Sequence, residues 1–83
     1  MRAQERLRWW RDNVAKANQR DISAAFGVRQ STWSNWENGR YKPDDATRQR
    51  LVVFTDGYVT LQDWIDTDNV APVEPYAPGP EAA

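Results

Sequence analysis

The sequence predicts an all-α fold, with five short helices forming one domain over residues 1–66 and a tail over residues 67–83. Three observations support this. Apolar residues recur at helical spacing, Leu7, Trp10, Val14 and Ala17 falling at i, i+3, i+7 and i+10. Helix-starting and helix-stopping residues (Asn18, Gly27, Asn38-Gly39, Asp44, Gly57, Thr60) punctuate the chain at short intervals. Four of the five prolines lie beyond residue 71, where they form a run that holds neither a helix nor a sheet interior.

The first helix is expected from Arg2 or Ala3 to Ala17, with Trp9 off the buried stripe and partly exposed. Asn18 suits the N-cap of a second helix, Gln19–Phe26, in which Asp21 favours the amino end and Ile22 and Phe26 form the inner face. Gly27 stops that helix as a left-handed C-terminal residue. A third helix, Gln30–Glu37, starts almost at once, with Trp33 and Trp36 turned the same way and Asn38-Gly39 at its end. Pro43 and Asp44-Asp45 open a fourth helix whose apolar end is Leu51, Val52 and Phe54. After an Asp56-Gly57 turn, Thr60 and Asp63 form a capping box for a short fifth helix anchored by Trp64 and Ile65. Beyond Asp66 the composition turns to Pro and Glu, and residues 67–83 are expected to be a mostly disordered tail.

Composition excludes several function classes. A chain of this length buries only ~60% of its unfolded surface, so its core must draw on its five Trp, two Phe and three Tyr. With no Cys there is neither a disulfide framework nor a thiolate metal site, and with no His the commonest general base and metal ligand is missing. No convergent carboxylate pair suggests catalysis, so an enzyme is the least expected class, with no cofactor. Asp63, Asp66 and Asp68 lack the loop and glycine of a calcium motif and read as helix and tail charges. No segment approaches the ~20 apolar residues of a membrane span, and the amino terminus lacks a signal-peptide core, which implies a cytoplasmic domain.

The net charge of −1 hides an uneven distribution. Residues 1–43 carry nine Lys/Arg against four Asp/Glu, and residues 44–83 carry two against eight. One half is thus suited to a polyanion and the other faces away from it.

Two helices joined by a Gly-containing turn describe a helix-turn-helix unit, in which the second helix enters the DNA major groove and the first crosses the phosphate backbone. Here Ile22 and Phe26 face the core, Gly27 makes the turn, and Val28, Trp33 and Trp36 anchor the second helix from beneath. With those inside, the outer face shows Gln30, Ser31, Ser34 and Asn35, uncharged groups that both donate and accept. Gln and Asn match the N6/N7 edge of adenine. An ordinary polar solvent face is the plain alternative. Arg29 reaches either a guanine or a phosphate. Gln19 sits at a helix amino end that favours a phosphate; Asn18, Arg20, Asn38, Arg40 and Lys42 fall where further phosphate contacts belong, and Tyr41 either joins them or covers the core.

Gln19–Pro43 resembles the helix-turn-helix of the Cro/C1 family of phage repressors and related bacterial regulators. Asn18-Gln19, Gly27-Val28, Gln30-Ser31-Thr32, Trp36-Glu37-Asn38-Gly39-Arg40 and Lys42-Pro43 carry the likeness, and Tyr58–Trp64 resembles the family's fifth-helix entry. Departures are Ser23 for the usual Ala, Trp33 for Ile or Val, and Arg29 where a capping Ser, Thr or Gly is common. The resemblance, over residues 4–66, implies a five-helix lambda-repressor-like domain and a Cro-like repressor of double-stranded operator DNA. It places the protein in the bacterial cytoplasm or nucleoid, or in an infected host cell. It also implies an Arg of the first helix paired with Glu37: Arg11, one residue further from Gln19 than the family spacing, or else Arg8. A homodimer would use residues near Asp56–Ile65 and read half-sites about 34–36 Å apart; a monomer on an asymmetric site is the rival. At 83 residues the chain is expected to leave no room for a ligand-sensing domain, and no small-molecule ligand is anticipated. The alternative of a different class is an antitoxin that represses its own operon and binds its toxin through the tail.

Overall fold

The first helix departs from a regular α-helix partway along, and the departure resets the register of its second half. In the computed structural model, which describes residues 2–66, Ala3–Trp10 is α-helical (α1) and Arg11–Ala15 continues it as a π-turn. The Arg11 carbonyl accepts from the amides of Lys16 and Ala17, so this turn holds more residues than an α-turn does. The expected apolar stripe runs through Leu7 and Trp10, both buried. One extra residue then rotates the pattern by about 100°. Val14, expected in the stripe, is therefore 56% exposed, while Ala15 and Ala17 pack against the core. Lys16 closes the turn with φ at 52°.

The remaining elements obey their capping residues. Helix α2 spans Gln19–Phe26, its amino end capped by Asn18, whose Oδ1 accepts from the Asp21 amide at 2.8 Å. Gly27, with φ at 97°, ends it in the left-handed conformation that glycine adopts without steric cost. Helix α3 runs Gln30–Asn38, and Arg29 occupies its N-cap position without a side-chain capping bond. Helix α4 covers Asp45–Phe54, with the Asp44 carboxylate accepting from the Thr47 amide at 2.9 Å. After the turn at Asp56-Gly57 the capping box forms in both directions: the Thr60 amide donates to Asp63 Oδ2 at 2.8 Å, and the Asp63 amide donates to Thr60 Oγ1 at 3.1 Å. It opens α5, Leu61–Asp66. The described residues form an all-α domain of five helices. The tail expected over residues 67–83, Asp68 included, lies outside them.

Phe26 is the centre of the core. Its ring meets Trp33 and Trp36 edge-on at 5.8 Å each and Phe54 at 5.0 Å. Such pairs contribute roughly 0.5–1.5 kcal/mol each beyond the burial of their area. Trp33, Trp36, Trp64, Leu7, Leu51 and Val59 are fully enclosed. Of the two anchors expected on α5, Trp64 is buried, whereas Ile65 is 53% exposed because the six-residue helix presents only a narrow stripe inward.

Arginines bind the periphery. Arg6 of α1 donates to the Tyr58 carbonyl at 2.7 and 3.1 Å, lies over the Tyr58 ring, and meets Asp63 Oδ2 at 3.1 Å. Trp9 stacks on the same tyrosine at 5.2 Å. Arg50 of α4 donates to the Phe26 carbonyl at 2.6 Å, occupying an acceptor at the carboxyl end of α2. No helix among the described residues is long and apolar enough to cross a membrane.

Candidate nucleic-acid interface

The arrangement of α2 and α3 depends on one buried carboxylate. Glu37 lies four residues after Trp33, so the two share a face of α3 and both are enclosed. Charge in that position must be paired, and Glu37 receives donors from three elements. Arg11 approaches with Nε at 2.6 Å and a terminal nitrogen at 3.0 Å, Gln19 Nε2 donates at 3.0 Å, and the Trp33 indole N–H at 2.5 Å. Arg8 Nε stands further off, at 3.8 Å. The pairing of Glu37 thus falls to Arg11, with Arg8 peripheral. The π-turn takes up the additional residue between Arg11 and Gln19, and Arg11 also donates to the Ala17 carbonyl at 3.0 Å.

Burial pushes the Glu37 carboxyl up, but the hydrogen bonds from Arg11, Gln19 and Trp33 outweigh it and hold the group below the usual carboxylate range. The hydrogen bond to Glu37 raises Arg11 above its ordinary value. The pair is ionised across the neutral range, and it fixes α1, the start of α2 and the end of α3 to one another.

The outer face of α3 carries the polar set expected from the sequence. Arg29, Gln30 and Ser31 are exposed, Ser34 and Asn35 are half-buried, and Thr32 between them is buried. Asn38 Nδ2 donates to Ser34 Oγ at 3.2 Å along the helix, so these two hydroxyl and amide groups are linked. The Asn35 carbonyl accepts the amide of Arg40 at 3.0 Å, shaping the exit from α3. Arg40 and Arg20 are both exposed, and Arg20 lies 3.5 Å from Asp21.

Three expected phosphate contacts change character. Lys42, expected as an outward clamp, is buried, 7% exposed, in the segment that leads to Pro43. Gln19 is half-buried and has its amide nitrogen on Glu37, so its side chain orients that carboxylate instead of extending to solvent. The oxygen of Asn18 is committed to capping α2. The sequence points only to an Arg partner for Glu37, and Gln19 and Trp33 join it in the structure; the four-residue spacing from the inward Trp33 is the signal that places Glu37 on the same inner face. Asp63, weighed above as a cation ligand, is engaged by Thr60 and Arg6. Among the described residues no cluster of acidic side chains is arranged to hold a metal ion.

No family model, no curated protein and no solved structure matches this chain.

Proposed function

We propose that this protein is a sequence-specific binder of double-stranded DNA that regulates transcription, with α3 inserted in the major groove. The observation that carries the reading is the division of α3 into two faces. Trp33, Trp36 and Glu37 hold one face rigidly against the core, while Arg29, Gln30, Ser31, Ser34 and Asn35 are left on the other. An α-helix with its side chains is about 10–12 Å across and fits a groove about 12 Å wide. The nine residues of α3 give it about 14 Å of length along that groove. Its polar face offers donors and acceptors to base edges, and Arg20, Arg29 and Arg40 lie around it with surface available for phosphates. Rigid mounting matters because base readout requires donors held in fixed register.

The resemblance to Cro/C1 regulators supports the narrower form of the proposal, a phage or bacterial repressor acting on an operator. Selection of bound duplexes from random DNA at fixed salt tests it. Enrichment of a defined motif is expected: a palindrome with half-sites one helical turn apart would indicate a dimer, and a single asymmetric site a monomer. Recovery of no preferred duplex would overturn the proposal.

A further inference from the structure

The side of the domain formed by α2 and α4 carries an open apolar groove of about 630 Å³. Ala25 and Phe26 form one wall and Ala46, Val53 and Phe54 the other. Val53 on this face is 81% exposed, and what marks the site is the patch it forms with Ala25, Ala46 and Phe54. Among the described residues, Arg50 is the one charged side chain that lines this groove.

The groove extends towards the place where the described chain ends. A second groove, of about 160 Å³, lies between α4 and α5 and is bordered by Leu61 and Ile65, which are 44% and 53% exposed. Gln49 lines both grooves. A track therefore runs from Ile65, next to the last described residue, past a polar stretch of Asp45, Arg48 and Gln49 to the apolar groove at Val53 and Phe26.

We propose that residues 70–76, Val-Ala-Pro-Val-Glu-Pro-Tyr, dock in this groove within the same molecule. Proximity and length favour this occupant. Helix α4 has ten residues and is about 15 Å long; the four residues from Asp66 to Val70 span at most about 14 Å extended, enough to pass Gln49. Its chemistry also fits. Val70, Val73 and Tyr76 supply apolar groups, and Pro72 and Pro75 limit the entropy lost on docking against an aromatic-lined surface. Residues 67–83 hold three acidic residues and no basic one, and docking brings Glu74 within reach of Arg50. The docking stands apart from any DNA role.

The test uses the full chain. The sequence has no cysteine, so Ala77→Cys gives a single site for a nitroxide label, and amide signals of isotope-labelled protein report what the label approaches. The expected result is strong broadening at Ala25, Ala46, Gln49 and Val53, with Glu5 and Asn13 unaffected. Val53→Glu, at an exposed position, and Val73→Asp, outside the helices, should each abolish the broadening while the other amide signals keep their positions. Broadening that is absent, or spread evenly over the domain, would overturn the proposal. So would broadening seen when label and isotope are on different molecules, which would assign the groove to a second copy.

Discussion

The guanidinium of Arg11 grips the Glu37 carboxylate through two hydrogen bonds, of 2.6 and 3.0 Å, across a sequence separation of 26. The carboxylate side chain is fully enclosed and the arginine side chain 12% exposed. Removing one partner leaves a buried charge without its counter-ion, and that imbalance costs far more than the net worth of the pair. Arg11→Ala is expected to destabilise the fold by about 3–5 kcal/mol, measured by urea unfolding. Arg11→Lys should recover only part, because an ammonium lacks the planar fork. A loss below about 1 kcal/mol, the range of an exposed pair, would show that the pair is not effectively buried.

Acid should weaken the fold through two carboxylates. Burial raises the Glu37 carboxyl but the Arg11, Gln19 and Trp33 bonds lower it more, and the Thr47 backbone bond lowers Asp44. A carboxyl depressed in the folded state contributes stability above its unfolded value, about 4, and that contribution is lost as pH falls through the folded value. Stability is therefore expected to be level above about pH 5 and to decline below it. Glu37→Gln and Asp44→Asn should each flatten the decline, and tryptophan fluorescence against urea at several pH values measures it. An unchanged acid slope in both would remove these groups as its source.

Trp36 is fully buried and meets Phe26 and Trp33. Trp36→Ala is expected to cost about 3–5 kcal/mol through the cavity left behind. A variant melting with the parent would contradict the packing.

DNA binding should separate readers from clamps. Gln30→Ala is expected to relax preference at one base position and cost about 1–3 kcal/mol. Arg40→Ala should weaken all sequences alike and flatten the slope of log K against log salt by about 1. Lys42→Ala should leave that slope unchanged, because the side chain is enclosed, and should lower the melting temperature instead. Binding isotherms over a salt series distinguish the three patterns.

The π-turn offers a deletion test. Asn13 is exposed, and its side-chain amide donates to the Trp9 carbonyl at 2.9 Å. Removing it lets Arg11–Ala15 close as an ordinary α-turn while Arg11 stays opposite Glu37. The deletion should change stability by no more than about 1 kcal/mol. Deleting Arg8 from α1 instead shifts Leu7 relative to Trp10 and should prevent cooperative folding, read from the urea transition.

Most of the fold was legible because its signals are local. Asn18, Gly27, Gly39, Asp44 and the Thr60–Asp63 box each act within one turn of backbone, and each does what its side chain or conformational freedom dictates. Inward positions such as Ile22, Phe26, Trp33 and Trp36 came from helical period alone. The polar character of the outer face of α3 came with them, since fixing one side of a helix exposes the other.

The tertiary structure was needed where two distant elements compete for one residue. The register of the first helix changes at Arg11 because the Arg11–Glu37 pair and the packing of Ala15 and Ala17 outweigh a regular α-helical repeat, which moves Val14 outward. The Gln19 side chain turns to Glu37 because a buried carboxylate draws every nearby donor. Lys42 is enclosed, although sequence position alone put it beside the basic residues expected to meet phosphates. By itself the sequence determined the helices, their ends and the core aromatics, through interactions closed within a few residues. Which polar side chains face solvent and which are drawn inward was decided by the packed domain, because burial and long-range charge exist only once the helices meet.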